Sequence, residues 1–245
     1  MILKDKNIFI SGAGKGIGLS TTLEATKQGA FVYALVKSKK DKKKFKNLKN
    51  VKLFFGNVSN TSLIKRILSQ SIKDKRKISG IVNNAGIRQR LNFNKISNSE
   101  IKKIFETNFF SIFFVMQIFS KYFIEKKIPA SIVNIGSIVG HLGFKQLSGY
   151  ASTKSAIEGL TKSFANEMSD YNIRANVVSP GFTKTSYFSK FKKKKSLYKW
   201  TLSRIPLKRW AEPKEISSLI CFLLSNESSY ITGENIKIDG GWTNA

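Results

Sequence analysis

Residues 7–18 read NIFISGAGKGIG. The first five form an apolar run with the composition of a short buried strand. The run passes directly into Gly12-Ala13-Gly14-Lys15-Gly16-Ile17-Gly18, and a helical pattern over 16–28 follows until Gly29 stops it. Glycine lets a backbone approach a pyrophosphate closely. A helix N-terminus behind it offers free N–H groups and the positive end of its dipole. Alone, such a run is a plain turn; between a strand and a helix it predicts a dinucleotide site. Gly12, Gly14, Lys15, Gly16, Ile17 and Gly18 are the candidate contacts.

The next strand covers 31–36, FVYALV. An acidic residue near its end would grip the ribose hydroxyls of NAD. Here the chain reads Val36-Lys37-Ser38-Lys39-Lys40, and the first acid is Asp41. Cations stand where a 2′-phosphate would sit, and Lys15 adds another. Lys37 and Ser38 therefore join the candidate contacts, and NADP(H) is favoured over NAD(H). The competing reading is that these lysines are simply solvated, like those at 42–44. A third strand over 51–56 runs into Asn57-Val58, where adenine would be met. A helix over 60–72 and a fourth strand over 78–82 follow, ending in Asn83-Asn84-Ala85-Gly86. Strands separated by helices predict an α/β fold: a Rossmann-type, doubly wound parallel sheet with helices on both faces.

The second informative stretch is 131–162, SIVNIGSIVGHLGFKQLSGYASTKSAIEGLTK. Tyr150 and Lys154 are four apart, a spacing that stacks two side chains on one helix face. A lysine ammonium beside a phenol favours the phenolate and brings proton exchange closer to neutral pH. Ser137 ends an apolar strand-like run, at the carboxyl end where open α/β sheets bind ligands. Ser137, Tyr150 and Lys154 are thus candidate catalytic groups, although Tyr-x-x-x-Lys also occurs by chance in helices. His141 lies between them, as a substrate contact or an exposed loop residue. Asn108 falls inside a helical pattern over 97–126 that opens with a capping box, Ser97 and Glu100. A buried asparagine needs partners, either as scaffold or in a proton relay.

A strand over 173–179 leads to Pro180-Gly181-Phe182-Thr183-Lys184-Thr185. Pro180, Gly181, Thr183 and Thr185 are candidates for holding a nicotinamide carboxamide. The aromatic, basic segment after them, about 185–204, sits where a substrate lid would lie. Tyr187, Phe188, Tyr198 and Trp200 read either as pocket lining or as part of an amphipathic surface helix. A helix over 213–224 and a strand over 235–238 complete the pattern.

The chain has 245 residues and 41% hydrophobic content, enough for one substantial core. A single domain is expected, with 1–95 mainly cofactor-binding and 96–245 catalytic. No 18-residue run is continuously apolar and no signal peptide is evident, so neither a membrane span nor export is expected. One Cys and one His exclude an internal disulfide and an ordinary Cys/His zinc site, so no metal is expected and the cytoplasm is the default. The net charge of +28 comes from 36 Lys but 7 Arg. Arginine is the residue that reads bases and clamps phosphates bidentately, and the lysines are spread along the chain, so specific nucleic-acid binding is not expected.

Taken in order, these motifs resemble the short-chain dehydrogenase/reductases over nearly the whole length. Ser11-Gly12-x-x-x-Gly16-Ile17-Gly18, Asn83-Asn84-Ala85-Gly86, Asn108, Ser137, Tyr150-x-x-x-Lys154, Pro180-Gly181 and Asp239-Gly240-Gly241 all stand in register. Asn57 replaces that family's usual Asp. The resemblance implies that Tyr150 is the general acid in reduction and the base in oxidation. Lys154 lowers its pKa and binds the nicotinamide ribose, Ser137 bonds the carbonyl oxygen, and Asn108 holds a relay water. Asn57, Val58, Asn84, Ala85 and Gly86 are implied cofactor contacts, with Tyr150 and Lys154. Residues 205–213 and 232–243 are similar to the branch holding 3-oxoacyl-carrier-protein reductases and sugar or polyol dehydrogenases of the gluconate type. The substrate implied is a small-molecule or carrier-bound carbonyl, and the assembly a homotetramer or dimer. The third possibility is a non-catalytic nucleotide-binding scaffold on a retained fold.

Overall fold

A computed structural model describes residues 1–244. Seven parallel strands form one sheet in the order β3-β2-β1-β4-β5-β6-β7. They are β1 (Asn7–Ser11), β2 (Phe31–Val36), β3 (Val51–Phe55), β4 (Ile78–Asn83), β5 (Ala130–Ile135), β6 (Ile173–Pro180) and β7 (Asn235–Ile238). Between β1 and β4 the strand order reverses direction. The chain leaving each of them splays apart there and opens a crevice at the carboxyl edge.

Two apolar layers cover the sheet. On one face lie α2 (Thr61–Lys73), α4 (Ser111–Glu125) and α6 (Ser148–Met168), around Phe9, Ile67, Phe119, Phe123 and Ile157. On the other lie α1 (Gly16–Lys27) and α9 (Pro213–Leu224), around Ile8, Ile10, Ala25, Ile220 and Leu224. The central strands are buried on both faces, so they read as continuous apolar runs. Local chemistry sets the helix starts. Asn60 Oδ1 accepts the Leu63 N–H at 3.0 Å ahead of α2. Pro213 opens α9, and Glu215 reaches back to the Glu212 N–H at 2.8 Å.

The helical segment over 98–125 is not uniform. It comprises α3 (Asn98–Phe105), a π turn (Glu106–Phe110) and α4. The Ser97–Glu100 capping box is present, with bonds of 3.2 and 2.9 Å. By length and hydropathy Asn98–Glu125 is long and apolar enough to cross a bilayer, but half of its most apolar stretch is buried in the protein. That is the ordinary use of an apolar helix in a layered α/β fold.

The lid divides into α7 (Phe188–Lys192) and α8 (Lys195–Arg204). With Trp210 and Trp242 they form a third apolar cluster that includes Ile138, Phe191 and Ile205. A short α5 (Val139–Leu142) joins β5 to α6.

Candidate active site

The glycine turn after β1 has backbone that other residues would not adopt. Gly12 and Gly16 have φ of +66° and +55°. A Cβ on Gly12 would stand 2.8 Å from Ala85 Cα, and one on Gly18 would meet the Gly12 carbonyl. The segment after β4 is stitched to this turn. Ser11 Oγ accepts the N–H groups of Asn84 and Ala85, both at 3.1 Å. Asn84 Nδ2 donates to the carbonyls of Ser11 and Gly12 at 3.1 and 3.0 Å. Lys15 precedes α1 without any side-chain cap, and no acid lies in that helix's first turn. The N-terminal N–H groups of α1 are therefore left for an anion, and a Gly-cradled pyrophosphate fits. Thr185 closes the other side, since a Cβ on Gly16 would meet its Cγ2 at 3.2 Å. Beyond β3 a cleft of about 290 Å³ is lined by Phe55, Gly56, Asn57, Asn60, Ser62, Leu63 and Arg66. It lies where the sequence places adenine.

Lys15 and Lys37 are exposed at the mouth of this cradle. Ser38 caps the next turn by accepting the Lys40 N–H at 3.2 Å. Asp41 folds back onto the glycine turn, its Oδ2 2.5 Å from where a Gly14 Cβ would stand. Lys44 Nζ bonds both Asp41 Oδ1 and the Gly14 carbonyl at 2.6 Å, which neutralises that carboxylate.

The catalytic candidates converge from three elements. Tyr150 is in the first turn of α6, and Lys154 follows one turn later with Nζ 5.7 Å from the Tyr150 ring centroid. Ser137, just after β5, is near enough to influence the Tyr150 phenol, and its Oγ accepts the Val139 N–H at 3.2 Å. Lys154 is 6% exposed and donates to the Ile135 carbonyl at 2.5 Å. Burial pushes its ammonium down from 10.5 to about 8. Burial pushes the Tyr150 phenol up; the Ser137 hydroxyl and the Arg88 charge pull against that.

Comparison with known proteins follows this geometry. The family model described as enoyl-(acyl carrier protein) reductase matches residues 12–243. The 3-oxoacyl-[acyl-carrier-protein] reductase FabG of Thermotoga maritima is 36% identical, over 98% of this chain and 99% of its own. A solved 4-hydroxyisoleucine dehydrogenase complexed with NADH superposes with a TM-score of 0.92 at 32% identity, covering 98% of this chain and 99% of its own. A structure from Agrobacterium tumefaciens, assigned as a 2-deoxy-D-gluconate 3-dehydrogenase with bound NADP, gives 0.90 at 26% identity, covering 99% and 98%.

This chain belongs to the short-chain dehydrogenase/reductase family.

As a short-chain dehydrogenase/reductase it is a nicotinamide-dependent oxidoreductase of a carbonyl or alcohol group. Within that frame several expectations change. The Asn108 side chain is fully engaged: Oδ1 accepts the Ile87 N–H at 2.8 Å, and Nδ2 donates to Ile87 O at 2.9 Å and Thr153 Oγ1 at 3.2 Å. It braces α6 to the chain after β4. Val58 is core, 7% exposed, while Asn57 Oδ1 accepts the Ser59 N–H at 3.3 Å. Thr183 Oγ1 donates to Gly181 O at 3.2 Å, and Gly181 packs on Asp239. His141 turns to Glu158 at 3.6 Å and to Asn235 at 2.9 Å, so it serves as scaffold. Phe188, Tyr198 and Trp200 pack against Trp210 or Trp242 at 5.1–5.8 Å and hold the lid together. Tyr187 is the lid aromatic that meets Arg88, at 5.3 Å. Arg88, which sequence reasoning missed, stands directly after the Asn-Asn-Ala-Gly-Ile segment. Its signal was a cation beside a motif already assigned to the cofactor.

Proposed function

We propose that the chain is an NADP(H)-dependent ketoreductase, with residues 1–245 acting as one catalytic domain. The observation that carries this reading is the meeting of Ser137, Tyr150 and Lys154 beside a glycine cradle suited to a pyrophosphate. The neighbouring hydroxyls of Ser137 and Tyr150 offer two donors to one carbonyl oxygen. Bound in the cradle, the nicotinamide supplies the hydride that the carbonyl carbon takes. Tyr150, kept neutral at pH 7 by burial, then gives its proton to the oxygen. Lys154, near 8, returns a proton to the phenol without a large barrier. Asn108 keeps α6 and the Ile87 main chain in fixed relation, which preserves this geometry.

Two substrate classes are carried. The Thermotoga relative supports a 3-oxoacyl thioester on a carrier protein. The Agrobacterium relative supports a sugar or polyol substrate of the gluconate type. Lys15 and Lys37, exposed and outside any ion pair among the described residues, support NADP(H). Phe110, Phe113 and Phe114 are 39–43% exposed on the helix face away from the sheet and support a homotetramer or dimer. The single buried Cys221, its thiol pushed up to about 12 by burial, suits a reducing cytoplasm.

The test is nucleotide oxidation by purified protein, NADPH against NADH. One arm holds acetoacetyl thioesters on carrier and on a short mimic; the other holds keto-sugars and keto acids. Turnover strongest on the carrier supports fatty-acid elongation, and turnover of the second arm alone supports the sugar class. Silence in both arms with NADPH bound supports a scaffold and removes the catalytic reading.

A further inference from the structure

The stretch 87–91 lies between the cofactor turn and the lid, and it is pinned to the catalytic helix on both sides of one residue. Ile87 is clamped at its N–H and its carbonyl by Asn108, which also bonds Thr153, the neighbour of Lys154. Gln89 packs on α6, its Oε1 2.5 Å from where a Gly149 Cβ would stand. Arg90 Nε donates to Gln146 Oε1 at 3.2 Å, and the Leu91 N–H donates to Gln146 O at 3.0 Å. Arg88, held between these anchors, has a different environment. Its guanidinium lies 5.3 Å from the Tyr187 ring centroid, on the lid, and its charge is felt at the Tyr150 phenol.

Arg174 and Arg209 are spent on protein acceptors. Arg209 is paired bidentately with Glu215 at 2.6 and 2.7 Å. Arg174 is spent on the carbonyls of Leu223, Ser225 and Ile231. Among the described residues no carboxylate pairs with Arg88. Gln89 Nε2, next to it in the chain, is buried with no hydrogen-bond partner. An exposed guanidinium without a protein partner and an orphaned amide, on adjacent residues, are unfinished bonding capacity.

We propose that Arg88 is the receptor for a carboxylate on the substrate. The site then takes keto acids and hydroxy acids whose carboxylate stands a few atoms from the reacting carbonyl. The planar fork of arginine matches a carboxylate bidentately, and the Tyr187 ring 5.3 Å away attracts the same cation toward the lid. Tyr187 belongs to the lid, so binding the acid also seats the lid. This assignment rests on the proposed ketoreductase and chooses within it, against a neutral thioester.

The test uses matched pairs with the purified full chain and either NADPH or NADH: a 3-oxo acid against its methyl ester, and a keto-aldonic acid against the keto-hexose of equal length. An acetoacetyl thioester mimic is run alongside. In each pair the acid is expected to have at least tenfold higher kcat/KM. Arg88→Gln is expected to cut that ratio at least tenfold, mainly through KM, and Arg88→Lys to restore part of it. Any effect of Arg88 on Tyr150 is shared by both members and cancels in the ratio. A fluorescence titration with the reduced cofactor checks that the variants still bind it. Equal use of acid and neutral member, or a ratio unmoved by Arg88→Gln, overturns the carboxylate assignment. Turnover of esters or thioesters alone overturns it and leaves the ketoreductase standing; no turnover of any member, with cofactor bound, overturns both.

Discussion

The side chain of Asn108 grips the main chain of Ile87 at both of its polar groups, accepting the N–H at 2.8 Å and donating to the carbonyl at 2.9 Å. Asn108 is 0% exposed and sits in the π turn between α3 and α4. An aspartate has the same size but no donor, and it would bury a charge facing Ile87 O. Asn108→Asp is expected to cost about 3 kcal/mol of stability and at least tenfold in kcat/KM. Thermal melts and steady-state kinetics of the variant check both.

The glycine turn and the parallel, doubly wound sheet were legible because each depends on local signals, and the same kind of signal placed Tyr150 and Lys154 on one helix. Apolar runs mark strands, Gly marks the tight turn, and four-residue spacing marks a helix face. The π turn at Glu106–Phe110 was not legible. No residue in it demands an i→i−5 bond; it coincides with a clamp between Asn108 and Ile87, twenty-one residues apart in sequence. The return of Asp41 onto Gly14 was hidden for the same reason. Three-dimensional closure by a 3₁₀ turn, anchored on buried Phe45, brings it there. The sequence left the lid aromatics open because residue type does not say which rings stack on each other and which face a substrate.

Lys154 holds a charge in the interior, and its ammonium is pushed down to about 8. A lysine lowered in the folded state destabilises it fully below that folded value. The penalty is relieved as pH rises from about 8 toward the unfolded value near 10.5. Lys154→Met is expected to abolish activity yet raise Tm at pH 7 by about 2–4 °C, equivalent to about 1 kcal/mol. The wild-type chain should close that gap by pH 9.5. Melts of both proteins at the two pH values decide the matter.

Lys44 masks the one carboxylate that touches the cofactor cradle. Without it, Asp41 would repel a 2′-phosphate. Lys44→Met is expected to raise the NADPH Kd about tenfold while NADH changes little, and a second substitution, Asp41→Asn, to restore it. Lys37→Asp should erode NADPH preference independently. Fluorescence titrations with both nucleotides measure each effect, and an unaltered ratio in Lys37→Asp would remove that lysine from the argument.

Gly18 and Gly14 differ in what a methyl group would strike. At Gly18 it meets the Gly12 main-chain carbonyl, which has nowhere to go; at Gly14 it meets the free end of the Asp41 side chain. Gly18→Ala is expected to lose nucleotide binding by more than tenfold. Gly14→Ala should keep the fold and most binding, displacing only the Asp41–Lys44 pair. Titrations and melts of the two variants provide the comparison.

The most direct measurement is reduced-cofactor oxidation by wild type and Tyr150→Phe on the same panel of ketones, with NADPH affinity measured in parallel. Phenylalanine keeps the ring in place and removes the proton donor beside Ser137. Turnover in the wild type, a loss of about 10³-fold or more in the variant and NADPH binding retained within a few-fold are the predicted result. A variant as active as the wild type would contradict the assignment of Tyr150 as the proton donor on which the mechanism is built.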